Sequence, residues 1–443
     1  MKRNVGIASF AVLIGAMAVW NASPAGANEV VAQASPAPVM SPAAKPAAAS
    51  PSPSPSPSPT PTPVPHAFSI SGYGDLGYTS VSNASNANTN SGPLADPNGR
   101  GITGRVFDAD NQVLQFHNFN IQAAYLPQAG FGAKLEYSFG EDADLIHSYP
   151  QSLQNPATEI DLTQGYASYV GGPLSVIVGK FETLAGAEVI EAPSDLNISR
   201  SILFGYAVPF THTGGRITYA VNGDLNIIVG ANQGWDTTKA LRGPIYDPVT
   251  GTADSSALTA EYGLAWTPSK IFSLTAQGYS GQVEEAYANV GAGPPVRTLT
   301  DFVATYHYNS AFTIILNGDI ASQNRTDVFD RMGNDLGIGT VSWDGAALYL
   351  SYNRGLFTLT GRGEYFADNG GSRTYTGYAG ATYAATRDLA EGTGTLQYQP
   401  NSNLIFRAEY RYDTSTNQYF ASGDSIPTFN NGGFGLEAIV KWP

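Results

Sequence analysis

The chain has 443 residues, 13% of them charged, with a net charge of −14 and no cysteine. Charge content is well below the roughly 25% of a soluble domain, and the acidic balance argues against nucleic acid as a partner. The lack of cysteine excludes disulfides, zinc–thiolate sites and a cysteine-linked bacterial lipid anchor.

The first element is a secretory signal. Lys2 and Arg3 form a basic start, Val5 to Trp20 an apolar stretch, and Ala25-Gly26-Ala27 a small-residue cleavage site. This predicts a signal peptide over residues 1–27 and a mature start near Asn28. Loss of Lys2 and Arg3 takes the net charge from −14 to −16. Residues 28–65 form a Pro/Ala/Ser-rich segment ending in SPSPSPSPTPTPVP. Alternating proline prevents helix and sheet ladders and favours polyproline II, so a disordered periplasmic linker is expected. At roughly 3.1 Å per residue it reaches on the order of 100 Å when extended. It reads as a spacer, or more sharply as a tether in contact with peptidoglycan.

No later run of about 20 apolar residues is present, so no second helical span is expected. From His66 to the end, apolar and polar residues alternate instead. Phe131, Ala133, Leu135, Tyr137 and Phe139 share one face, opposite Gly132, Lys134, Glu136 and Ser138. The same holds for Phe302, Ala304, Tyr306 and Tyr308 against Asp301, Thr305 and His307. Leu404, Phe406, Ala408, Tyr410 and Tyr412 alternate with Arg407, Glu409, Arg411 and Asp413. Period-two alternation marks strands. About sixteen are readable, centred near residues 73, 120, 135, 165, 177, 218, 229, 261, 276, 303, 317, 347, 361, 394, 408 and 438.

The links are expected to alternate between short and long. The short ones are Pro127–Gly130, Gly171–Pro173, Asn222–Asp224, Thr267–Lys270, Asn309–Ser310, Asn353–Gly355 and Pro400–Asn403, with the Gly, Asn and Pro of tight hairpins. The long ones, such as Ser82–Asp110 and Thr414–Gly432, are polar; Gly371–Arg387 is either a loop or an extra strand pair. Aromatics close the strands entering the short turns: Tyr125, Tyr169, Tyr219, Trp266, Tyr308, Tyr352, Tyr398 and Trp442. Phe131, Phe272, Phe312 and Phe357 open the strands leaving them. Aromatic rings at one rim mark the hydrocarbon–headgroup boundary. The last strand puts Phe434, Leu436, Ala438, Val440 and Trp442 on one face, although Pro443 follows Trp442. These features predict an all-β, transmembrane, antiparallel up-and-down β-barrel over residues 66–443. Its expected place is the outer membrane of a Gram-negative bacterium, in contact with lipid, with short periplasmic turns and long extracellular loops.

The third long connection, Glu182 to Gly214, is unlike the rest: it joins clustered charges to Ile202, Leu203 and Phe204. Such apolar residues need something to pack against. The stretches GKFETLAGAEVIEAP, SRSILFGYA and PFTHTG within Gly179–Gly214 resemble the β-barrel porin-2 (OmpL-like) family of outer-membrane proteins. FNIQAAYLP, NQGWD and EGTGTLQYQPNSNLIFRAEYRYD are also similar, and the resemblance runs from about His66 to the end. It implies a porin that passes small hydrophilic solutes and ions by passive diffusion, with the third loop folded into the lumen. It brings no defined substrate and no cofactor. A homotrimer is expected by resemblance to general porins alone.

A pore discriminates through its diameter and the charges at its narrowest point. Glu182, Glu188, Glu191 and Asp195 on the third loop form a candidate acidic side of a constriction, with Arg200 as a pairing partner. Lys134, Arg362, Glu364, Arg407, Glu409 and Arg411 face the lumen by parity. Opposed acidic and basic walls would set up a transverse field; local pairing that only stiffens the loop is the alternative. A substrate-specific channel and a structural barrel tethering the membrane to the cell wall are rival functions. An enzyme is not expected, since His66, His117, His147, His212 and His307 show no Ser/His/Asp spacing. His212 is expected to be a hydrogen-bonded structural residue. No cluster with metal-ligand spacing is seen.

Overall fold

In the computed structural model the described residues are 68–82, 102–108, 110–148, 158–238, 258–282, 295–374, 376–378, 381–383, 385–422 and 425–442. The expected signal peptide and linker lie outside them. The first barrel strands are β1 (Ser69–Val81), β2 (Leu114–Tyr125), β3 (Gly130–Phe139), β4 (Ile160–Gly171), β5 (Leu174–Glu182), β6 (Thr211–Ala220), β7 (Leu225–Asn232) and β8 (Thr259–Ser269). They continue as β9 (Phe272–Gln282), β10 (Val296–His307), β11 (Phe312–Phe329), β12 (Asp335–Arg354) and β13 (Phe357–Asn369). β14 (Thr376–Tyr378) and β15 (Ala381–Tyr383) pair only with each other, so Gly371–Arg387 holds a small hairpin outside the barrel. β16 (Arg387–Asn401) and β17 (Leu404–Ser415) follow, then a second two-stranded piece, β18 (Phe420–Ser422) with β19 (Ser425–Thr428), and last β20 (Asn430–Trp442).

Among the described residues sixteen strands pair antiparallel in chain order into a closed barrel. β1 and β20 complete it, from Gly72 opposite Trp442 to Val81 opposite Gly433. Every strand centre expected from the alternation falls inside one of the sixteen. One link differs. β11 and β12 lengthen to 18 and 20 residues and meet in a tight turn, where a long loop was expected. Polar, Gly-rich sequence around Asn324–Gly339 still pairs as a twisted hairpin, with bulges at Arg325 and Val328.

The wall is the reverse of a soluble sandwich. On β17, Ile405, Arg407, Glu409, Arg411 and Asp413 are buried, while Phe406, Tyr410 and Tyr412 are 45%, 58% and 43% exposed. Outward apolar and inward polar side chains are what a hydrocarbon exterior demands. At the short-turn rim, aromatics from neighbouring strands meet in pairs: Phe131 with Tyr169 at 5.0 Å and Phe357 with Tyr398 at 4.9 Å between centroids. Trp266 with Phe272 and Tyr308 with Phe312 continue the girdle.

Leu316 lies on the outer face of β11, two outward positions above Phe312 of that girdle, and is 54% exposed. Leu316→Arg is expected to destabilise the barrel in lipid vesicles by about 2–4 kcal/mol, as for a charge placed near the midplane. Denaturant unfolding in vesicles measures it, with Met332→Arg in the β11–β12 turn as a near-neutral control.

Candidate functional site in the barrel lumen

The segment between β5 and β6, residues 183–210, lies against the inner face of the barrel. It has little secondary structure: a 3-10 turn at Ala192–Ser194 and a π-helical turn at Leu203–Ala207. Its apolar residues Ile190, Ile202, Leu203, Phe204 and Val208 are at most 3% exposed. They pack on inward side chains of β10 to β16, including Leu299, Ile315, Val341, Trp343, Phe366 and Leu389. The first long connection joins them: Phe107 contacts Phe204 and Phe210, with ring centroids 5.9 and 5.5 Å away. A short helix between β3 and β4, α1 (Glu141–Ile146), adds Ile146 to the same cluster.

Backbone groups outside helices and sheets need partners when buried, and the wall supplies them. Glu364 accepts from the amides of Ile202 and Leu203 at 2.6 and 3.2 Å. Glu409 accepts from those of Ile198 and Ser199 at 2.7 and 3.0 Å. Arg362 donates to the Ser199 carbonyl at 2.7 Å, Arg411 to that of Arg200 at 2.7 Å, and Arg407 to that of Ala192 at 3.1 Å. Asn317 Oδ1 accepts from the Ala187 amide, Trp343 donates to the Ala207 carbonyl, and the Tyr279 hydroxyl accepts from the Leu184 amide.

Several candidate charges are therefore paired. Glu188 lies 2.7 Å from Arg362, whose Nε is 2.6 Å from Glu391. Asp195 and Arg200 are 2.9 Å apart, and Arg200 also donates to the carbonyls of Val189, Ile190 and Ile198. Arg407 meets Glu437 at 2.8 Å and Arg411 meets Asp413 at 2.7 Å. At these residues the acidic and basic partners touch, which is the local pairing the sequence left open beside opposed walls. The cause is burial: ions this far from bulk water are stable only in direct pairs with their remaining donors satisfied.

The other candidates gather on the opposite side. Carboxylate oxygens of Glu136, Glu182 and Glu191 lie within 4.8 Å of one another. Lys134 Nζ is 2.8 Å from Glu136. Glu136 also accepts from Asn120, Gln122 and Gln164. Burial, then the neighbouring Glu136, pushes the Glu191 carboxyl up to about 7, with Lys134 opposing. A cavity of 280 Å³ adjoins this group, lined among others by Gln122, Lys134, Gln164, Tyr166, Glu182 and Arg216.

Glu136, Glu391, Arg216 and Glu261 are among the charged residues here that the sequence did not mark as pore candidates. Arg216 pairs with Glu261 at 2.7 Å and donates to the Glu182 carbonyl. Inward parity on β3, β6, β8 and β16 was the signal that could have found them. His212 Nδ1 is 3.1 Å from the Gly234 carbonyl, and its ring stacks on Tyr279 at 4.3 Å, a packed structural setting. The fold also brings Asp75, His117 and Glu437 within 4.8 Å, a grouping no sequence spacing displays.

Residues 67–442 match the family described as "Putative beta-barrel porin-2, OmpL-like". The chain belongs to this family. It is accordingly an outer-membrane channel protein of a Gram-negative bacterium, crossing the membrane as a multi-pass β-barrel. Among solved structures it is similar to an anion-selective porin from Comamonas acidovorans. That match has 10% identity and a TM-score of 0.54, and covers 85% of this chain and 99% of that one. The outer-membrane channel DcaP of Acinetobacter baumannii matches with 11% identity, TM-score 0.53 and coverage of 85% and 97%. OmpT of Vibrio cholerae, in a trimer form, matches with 10% identity, TM-score 0.51 and coverage of 85% and 99%. At such identities the likeness is one of fold. A comparison with curated proteins finds no match.

Arg362 is the hub of the loop's attachment. Arg362→Met leaves Glu188 buried without a counter-ion and Glu391 with only the more distant Arg411, and is expected to cost about 3–5 kcal/mol. Hydrogen exchange should then speed up across residues 188–201 more than in the barrel strands. Unchanged protection there would show that the apolar contacts alone hold the loop.

Proposed function

We propose that the protein is a porin through which small hydrophilic solutes and ions diffuse passively, with the third loop narrowing the lumen. The supporting observation is the one-sided attachment of that loop. It is fixed to the wall from β9 round to β20, where Ala192 packs on Ile405, Ile439 and Tyr73, and the polar cavity remains beside β1–β6. Solutes passing there meet Glu182, Lys134 and Arg216 in the lining, with Glu191 of the loop beside Glu182. Lys134 is balanced by Glu136 and Arg216 by Glu261, which leaves the Glu182–Glu191 pair as the net acidic group, and such a group at a narrow point favours cations. Glu188, Asp195, Arg200, Arg362, Glu364, Arg407, Glu409 and Arg411 hold the loop in place, and Glu182, Glu191 and Lys134 set selectivity. On this reading the protein is a channel, with no catalytic step.

Single-channel recording of the refolded barrel in planar bilayers, with the reversal potential taken under a KCl gradient, tests this. Stable steps with a modest cation preference are expected; properly folded barrels that carry no current would remove the porin reading. Glu191→Gln is expected to move the reversal potential toward zero cation preference.

The pH dependence has a definite sign. Glu191 gains its negative charge as pH rises through about 7, so cation preference should increase between pH 6 and pH 8. In Glu191→Gln that rise should flatten. A wild-type reversal potential that stays level across this range would take Glu191 out of the conduction path.

A further inference from the structure

Asp75 on β1, His117 on β2 and Glu437 on β20 project into the lumen beside the line where the barrel closes. They are 2%, 5% and 5% exposed, and one ligand atom from each lies within 4.8 Å of the others. Three local features bring them together. The pairing of β1 with β2 slips by one residue, so that Asp75 faces Asn118 and Leu76 faces Phe116. His117 is the extra residue of this bulge, and it points inward together with Asn118 instead of alternating outward. Bulges redirect single side chains in this way and recur beside functional sites. The imidazole then lies over Gly77: a Cβ there would come within 2.2 Å of His117 Cε1. Gly77 is in turn the register partner of Glu437.

The ring is also held as a metal-binding histidine is held. His117 Nε2 is 3.5 Å from Gln115 Oε1, and Gln115 Nε2 donates to Glu141 at 2.7 Å. With Nε2 donating along that chain, the Nδ1 lone pair would face the carboxylates. Nδ1 is 3.5 Å from Asp75 Oδ2. The other oxygen, Asp75 Oδ1, is buried with no hydrogen-bond partner. Arg407 occupies one oxygen of Glu437, at 2.8 Å.

We propose that Asp75, His117 and Glu437 form a binding site for one divalent transition-metal ion, Zn²⁺ or a close analogue, that clamps the first two strands of the barrel to the last. One imidazole nitrogen with two carboxylates is a donor set for such ions, whereas Ca²⁺ and Mg²⁺ take oxygen ligands. Two carboxylates offset the charge of a dication and the neutral imidazole adds none, while Arg407 stays on the other oxygen of Glu437. A water or a second oxygen from Asp75 completes the coordination.

The test uses the full barrel in detergent micelles, stripped with chelator and titrated with Zn²⁺ by calorimetry. One saturable site is expected, together with a rise in the temperature at which the folded barrel loses its compact gel mobility. His117→Gln and Asp75→Asn are each expected to weaken binding at least tenfold, with His307→Gln unchanged. Equal affinity in His117→Gln, or no saturable binding by the wild-type barrel, overturns the proposal. X-ray absorption on the Zn²⁺-loaded wild-type protein gives an answer that needs no variant to fold. A shell containing one imidazole supports the site, and a shell of oxygens alone overturns it.

Discussion

A peptide group in hydrocarbon has no water to bond with, so every strand edge must find another strand. The pairing of β1 with β20 is where this chain meets that demand, and the rest of the molecule depends on it. Once the sheet is closed, the two faces of each strand part company. Leu, Phe and Tyr go out to lipid, and Arg, Glu, Asp and Asn are driven in. The lumen thereby collects the charge that the membrane rejects, in a space too confined for full hydration. Ion pairing follows from that confinement, as with Arg362 between Glu188 and Glu391.

The same inward charges solve a second problem. A loop with almost no helix or sheet carries unsatisfied amides and carbonyls into the barrel. The wall answers with matched chemistry: glutamates accept from loop amides, and arginines donate to loop carbonyls. Residues that look, in the sequence, like the two sides of a selectivity filter are in large part backbone partners. Charge-assisted bonds of this kind are shorter and stronger than neutral ones, and they fix the loop's position residue by residue, where apolar contacts alone would allow it to slide.

The strands were legible because alternation is a local signal. Phe131 to Phe139 and Leu404 to Asp413 announce their faces without reference to the rest of the chain. The β11–β12 hairpin was not legible, because beyond the membrane nothing requires an outward apolar face, and polar sequence around Asn324–Gly339 reads as loop. Which inward residues meet was also hidden. Parity assigns a face but not a height, and height depends on register accumulated around sixteen strands. Glu188 and Arg362, 174 positions apart in the chain, could not be matched from spacing. At His117 the alternation itself breaks: Gln115, His117, Asn118 and Asn120 are all buried, so a strict period of two misplaces one side of the bulge.

The loop's lateral position has a cause in the composition of the inner wall. From β10 to β16 that wall offers Leu299, Ile315, Val341, Trp343, Phe366 and Leu389, apolar side chains turned away from lipid. Left facing water they would be a liability, and the Ile202–Phe204 stretch of the loop covers them. The wall from β2 to β4 offers Asn118, Asn120, Glu136, Ser138, Thr163 and Gln164 instead, which already bond to one another or to solvent-accessible partners. An apolar loop gains little by covering that side. Hydrophobic burial thus selects the half of the lumen that is filled, hydrogen bonds lock the choice, and the polar half is left beside the cavity. The route open to solutes and the charges they meet are consequences of where the apolar inward residues were placed.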